Sequence, residues 1–203
     1  ISLREIVEQH CGGIRGGKKF KSAIPGGVSM GVLAPDEFDA AMDFDIGRKH
    51  NILGLGTACP TILDEDTDMI MVARNIARFF SHESCGQCTP CREGTSWMYK
   101  MLCRFEAGDG RSDDLDLLLE LAASMGAMPG TTICGLADGA NWAIRTIVNK
   151  FTHEFEARLK PRFVPVTLSV GRPDQTSIQQ KSGMGAHPAP SLVNADHGHG
   201  QGG

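Results

Sequence analysis

The chain has 203 residues, of which 41% are hydrophobic and 22% charged, a composition that supports one or two modest cores and excludes a fibre or a wholly disordered chain. A formal net charge of -4, with Lys and Arg spread along the sequence, leaves no basic footprint for nucleic acid. No apolar run approaches the roughly 20 residues of a membrane-spanning helix, so membrane contact is expected through partner proteins and not by direct insertion.

The sequence begins at Ile1, without Met, and opens directly into helix-like sequence, which reads as a fragment whose targeting signal or preceding domain lies outside it. Ser2-Leu3-Arg4-Glu5 has the form of a capping box, and Leu3, Ile6 and Val7 follow at helical spacing until Gly12-Gly13 ends the turn. Lys19 to Ile24 alternates charged with less polar residues ahead of Pro25-Gly26-Gly27, the pattern of a half-exposed strand, and Thr61-Ile62-Leu63 is a second strand candidate. Short strands with one or two short helices therefore predict a small α+β domain over residues 1–65.

Helical periodicity takes over after Asp64-Glu65-Asp66. Met69, Val72, Ala73, Ile76, Ala77 and Phe80 form one buried face, with Asp66 or Thr67 as its expected cap. Trp97, Met98, Met101, Leu102 and Phe105 mark a second helix, and Leu115, Leu118, Leu119 and Ala122 a third. Ala140, Ile144, Ile147, Val148, Phe151 and Phe155 make the stripe of a fourth, with Asp138 near its positive N-terminal end. Four such helices on residues 66–160 bury their stripes most simply as an all-α bundle. Residues 161–203, rich in Gly, Pro, Ser, Gln and His, offer no further apolar face and read as a flexible tail.

Seven cysteines, three of them within Cys85 to Cys91, fit metal ligation in a reducing compartment better than a disulfide framework. In Cys85-Gly86-Gln87-Cys88-Thr89-Pro90-Cys91, two equal intervals let one loop present three thiolates to a cubane, while Gly86 and Pro90 favour tight loop geometry. Cys134, just before the fourth helix, supplies the missing fourth ligand from a place where helix-start N–H groups face an anionic group. The reading is therefore a [4Fe–4S] cluster on Cys85, Cys88, Cys91 and Cys134, with Cys11, Cys59 and Cys103 left over as ordinary free cysteines. Thiolate-only sites also hold structural zinc, usually on two separated Cys-x-x-Cys pairs, so a zinc-stabilised interaction module stands as the alternative of another class. A radical enzyme would leave one iron open, and its cysteine run has unequal intervals.

Other features have plainer readings. Arg92 is either a tuning charge or a solvated arginine at a helix start, and His82 and Glu83 are structural neighbours of the first cysteine. Gly12-Gly13-Ile14-Arg15-Gly16-Gly17 lacks the order of a phosphate loop and reads as turn glycines. Trp97 and Trp142 read as core or interface residues, and His197 and His199 as an accidental metal site in the tail.

The stretch His82 to Gly94, with Thr132-Ile133-Cys134, Ile24-Pro25-Gly26-Gly27 and Met42-Asp43-Phe44-Asp45, closely resembles the NADH-binding flavoprotein subunit of NADH-quinone oxidoreductase, or respiratory complex I. The likeness covers about residues 1–160. It implies a β-grasp domain of the soluble ligand-binding kind over 1–65, followed by the helical iron–sulfur domain over 66–160. It also implies an electron route, in which NADH reduces FMN and the flavin releases electrons singly to the cluster on Cys85, Cys88, Cys91 and Cys134. Partner subunits carrying [2Fe–2S] and further iron–sulfur centres then receive them. The FMN/NADH domain that opens family members is expected to be missing, so no FMN or NADH residue is assigned and the chain alone is expected not to oxidise NADH. The implied location is the cytoplasmic side of a bacterial inner membrane or the matrix side of a mitochondrial one, peripheral through a complex. A diaphorase subunit of an NAD-reducing hydrogenase or of an NAD-linked formate dehydrogenase shares the motif and is the nearest rival.

Overall fold

Ser2 opens the chain as expected: its Oγ accepts the Glu5 N–H at 3.1 Å and starts α1 (Leu3–Glu5), which widens into a π-helical turn over Ile6–His10. In this computed structural model the described residues are 1–126 and 132–160, so the reading of 161–203 as a tail, with its two histidines, lies outside the described residues. β1 (Phe20–Ile24), the short helix α2 (Ile46–His50) and β2 (Thr61–Asp64) follow. The two strands form an antiparallel pair in which Ala23 faces Ile62 and Ile24 faces Thr61, with an irregularity between Phe20 and Ser22. Leu3, Val7, Ala23, Leu33, Phe38, Ala40, Ile46 and Ile52 bury together around this sheet. Phe20 stacks on Phe38 at 4.0 Å, and the Arg4 guanidinium covers the other end of that contact at 4.4 Å from the Phe38 ring.

The next residues build long helices. α3 (Met69–Glu83) is capped by Asp68, whose carboxylate accepts the Ile70 and Met71 N–H groups, and not by Asp66 or Thr67. The competing aspartates are engaged elsewhere. Asp64 and Asp66 hold Lys18 at 3.0 and 2.8 Å, while Arg158 clamps Asp68 in the capping position. α4 (Thr89–Glu106), α5 (Asp114–Gly126), α6 (Leu136–Lys150) and the short α7 (Thr152–Glu156) complete the described chain.

α3 packs on α4, α4 on α5, α5 on α6, and α6 returns to α3, so each apolar stripe meets another. The shared core holds Ile76 and Phe80 from α3, Met98, Leu102 and Phe105 from α4, Leu118 and Ala122 from α5, and Ile144 and Ile147 from α6. Each large side chain buried there contributes about 1.5–3 kcal/mol. The stripe expected to run on through Phe151 and Phe155 is broken. Phe151 adopts φ -124°, ends α6 and starts α7, and both rings still reach the core, where Phe155 packs edge-on against Phe105. Trp97 does not join the core; it is 56% exposed on the outer face of α4.

The sheet segment and the helices belong to one compact unit. The Lys150 ammonium reaches Glu37 at 2.6 Å and the His50 carbonyl at 2.9 Å, and the Val32 N–H donates to Thr146 Oγ1 at 3.1 Å. Burial pushes the Glu37 carboxyl up, but Lys150, the Ala34 N–H and His50 outweigh it, so the group sits below the usual carboxylate range.

Candidate metal centre

The end of α3 and the starts of α4 and α6 meet at one place. α3 stops at Glu83, with the Ser84 N–H donating to the Phe80 carbonyl, and Gly86 turns the chain with φ +80°, a conformation that costs glycine nothing. Pro90 then occupies the first turn of α4, where its missing N–H is harmless. The tight loop is therefore shorter than expected, and Cys91 already belongs to a helix that Cys88 caps. Arg92 donates from Nη1 to the Gly86 carbonyl at 2.7 Å and from Nε to Glu93 at 3.0 Å, so it braces the loop.

Cys134 arrives from the other side, two residues before α6. Cys85, Cys88, Cys91 and Cys134 all line one cavity of about 150 Å³, with Ser84, Gln87, Thr132 and Leu136 completing most of its wall. Burial is graded across it: Cys91 is buried, Cys88 intermediate, and Cys85 and Cys134 are exposed. The N-termini of two long helices, α4 and α6, open at this cavity, and their unpaired N–H groups favour anionic sulfur there.

Two polar groups touch the sulfurs directly. The Ile133 N–H points to Cys88 Sγ at 3.3 Å, and Ser84 Oγ lies 3.4 Å from Cys91 Sγ. Neither contact was foreseen from the sequence, although a hydroxyl beside the first cysteine was a visible signal. Among the described residues no three His, Cys, Asp or Glu side chains converge as around a single metal ion. Four soft sulfur donors on one cavity are the donor set that holds iron–sulfur clusters and structural zinc alike.

Residues outside this group are placed apart from it or serve as braces. Cys11 and Cys59 are exposed, Cys103 is half-buried along α4, and His82 pairs with Glu83 on the surface. A larger cavity of about 930 Å³ opens beside the Gly12-to-Lys19 loop. Two of its cations are already engaged, Arg4 by Asp39 and Glu8, and Lys18 by Asp64 and Asp66.

The position of Cys134 depends on how closely α5 approaches α6. A Cβ on Gly126 would lie 2.7 Å from the Asp138 Cα and 2.9 Å from the Ala137 carbonyl, both backbone atoms that cannot swing aside. Gly126→Ala is therefore expected to cost about 1–3 kcal/mol and to lower metal retention by displacing the start of α6. Thermal unfolding and iron content of the variant check both effects.

Residues 71–158 match the family model described as the NADH-ubiquinone oxidoreductase-F iron-sulfur binding region. The chain is 42% identical over 164 residues to the F subunit of the NADH-quinone oxidoreductase of Rhodobacter capsulatus, covering 80% of this chain and 37% of that protein. It is 43% identical to the mitochondrial NADH dehydrogenase [ubiquinone] flavoprotein 1 of Dictyostelium discoideum, over 79% of this chain and 33% of that one. This chain thus spans about a third of the length of the curated relatives it matches. Among solved structures, a chain of the air-oxidized NAD+-reducing [NiFe]-hydrogenase superposes with a TM-score of 0.67 and 27% identity, over 82% of this chain and 27% of that one. Through residues 71–158, then, this chain matches the NADH-ubiquinone oxidoreductase-F iron-sulfur binding region, and over about four fifths of its length it is similar to the two relatives named above.

Proposed function

We propose that Cys85, Cys88, Cys91 and Cys134 hold one [4Fe–4S] cluster, and that the chain is the electron-relay part of an NADH dehydrogenase flavoprotein subunit. The observation that carries this reading is the single cavity lined by four cysteines from two distant stretches of sequence. When bound, the cluster supplies a one-electron carrier whose potential follows from charge, hydrogen bonding and exposure. With four protein thiolates committed, no iron is left open to a substrate, so the site's role is to pass electrons and not to make or break bonds.

The chain's own residues set the conditions for that role. α4 and α6 aim their positive ends at the sulfurs, Arg92 holds the loop closed over Gly86, and Cys91 marks the buried side of the cavity. The outer side stays open at Cys85 and Cys134, beside the 80% exposed Ile133, and is the side offered to electron partners.

In the proposed assembly, FMN reduced by NADH delivers electrons, and [2Fe–2S] and larger iron–sulfur subunits take them onward. FMN and NADH sites are assigned to no residue of this chain. The domain division goes with this reading: a β-grasp domain over 1–65, supported by its separate apolar cluster, and a four-helix iron–sulfur domain over 66–160. No helix among the described residues is long and apolar enough to cross a membrane, so the proposed location is peripheral, on the cytoplasmic or matrix side, through the complex.

Anaerobically purified or reconstituted protein is expected to contain about four irons per chain and, on reduction, to give the paramagnetic resonance spectrum of a one-electron-reduced cubane. Stoichiometric zinc with no such spectrum would replace the proposal by the zinc-stabilised interaction module. The superposition on the hydrogenase chain supports a second reading, the diaphorase subunit of an NAD-reducing hydrogenase, and the subunits that co-purify with the chain separate the two.

A further inference from the structure

We infer that Ser84 is a positioning residue that sets the reduction potential of the proposed cluster by donating its hydroxyl proton to Cys91. This inference rests on the four-cysteine reading above. Ser84 Oγ stands 3.4 Å from Cys91 Sγ, within reach of a hydrogen bond to sulfur. By distance alone either atom could be the donor. A cysteine that ligates iron is a thiolate without a proton, so in the loaded site only the serine can donate.

The local structure makes this contact a strong candidate for tuning. Ser84 is fixed by the end of α3, through its N–H to the Phe80 carbonyl, while Cys91 is fixed in the first turn of α4. Thr95 Oγ1, fully buried, donates to the Cys91 carbonyl at 2.8 Å and holds that turn in place. Cys91 is also the most buried of the four cysteines, at 7% exposure, so water competes least for its sulfur. A donor in a poorly solvated place acts on charge more strongly than one in water.

Reduction adds one electron, and part of the added charge falls on the ligand sulfurs. A hydrogen bond to sulfur therefore stabilises the reduced form more than the oxidised form and raises the potential. The Ile133 N–H contributes in the same sense at Cys88, but it is a backbone donor and survives a change of side chain.

The test is a potentiometric titration of the reconstituted full chain, followed by paramagnetic resonance, in four forms. Ser84→Ala is expected to keep the cluster and to shift the oxidised-to-reduced ratio at fixed poise about tenfold toward oxidised, a lowering of about 59 mV for one electron. Ser84→Thr, which keeps a hydroxyl, is expected to restore the wild-type potential. Met71→Ala is expected to leave the potential unchanged, since its side chain is 51% exposed on α3 and does not line the cavity. Equal potentials in wild type and Ser84→Ala would overturn the inference while leaving the four-cysteine reading intact. Loss of the cluster from Ser84→Ala would overturn it in favour of a purely structural role. Failure of the wild-type chain itself to hold a cubane would refute the four-cysteine reading instead.

Discussion

Replacing Cys134 with alanine is expected to abolish the cubane or convert it to a smaller cluster, whereas Cys103→Ala leaves it intact. Cys134 lines the same cavity as Cys85, Cys88 and Cys91, and Ile133 beside it already donates its N–H to Cys88 sulfur. Cys103 lies twelve residues beyond Cys91 on the same helix, about 18 Å along the axis at 1.5 Å per residue, too far to share a cage. The first substitution removes the ligand of one iron, and neither Thr132 nor Leu136, the cavity-lining neighbours from that segment, offers a thiolate in its place. Iron and acid-labile sulfide per chain, read with the resonance spectrum of the reduced protein, distinguish the outcomes. Equal loss in both variants would show that the fourth ligand has been assigned wrongly. Zinc in the wild-type chain would give a different signature, since a zinc–thiolate bond of about 2.3 Å draws four sulfurs to one point.

The cysteines were legible in the sequence because three of them carry their spacing in one loop and the fourth precedes a strongly periodic helix. Ser84 was not singled out. Its partner is Cys91, seven residues away, and the two meet only because the end of α3 packs against the first turn of α4. Helix existence was equally legible, since the stripes through Phe80, Leu102 and Ile144 repeat at 3.6 residues. Helix ends were less so. Asp66 and Thr67 are as good local caps as Asp68, and contacts from elsewhere decide between them: Asp66 holds Lys18, Thr67 donates its hydroxyl to Asp64, and Arg158 fixes Asp68 in the capping position. The break at Phe151 has no glycine or proline to announce it, and Trp97 sits one position off the buried face that Met98 occupies. The sheet was visible as two strand-like runs, but their antiparallel register depends on a contact across some forty residues of loop and short helix.

Asp114→Asn is expected to destabilise the protein by about 2 kcal/mol near neutral pH, and the loss is expected to vanish in acid. Asp114 is only 4% exposed at the start of α5, where it accepts from Arg104 at 2.7 and 3.1 Å and from the Arg111 N–H at 3.0 Å. Breaking a fully buried ion pair costs about 3–5 kcal/mol, and the smaller figure follows because Arg104 keeps a third of its side chain in solvent and can be hydrated when its partner is lost. Burial pushes the Asp114 carboxyl up, but the hydrogen bonds from Arg104 and the Arg111 N–H outweigh it and hold the group below its ordinary value. A carboxyl with a depressed folded-state pKa contributes stability that is complete above its unfolded value of about 3.9 and fades as pH falls through the lower folded value. Denaturant midpoints of the two proteins should therefore differ at pH 7 and draw together below about pH 4. A gap that persisted in acid would mean that Asp114 supports α5 by shape and neutral hydrogen bonding, and that its charge contributes little to holding α5 against α4.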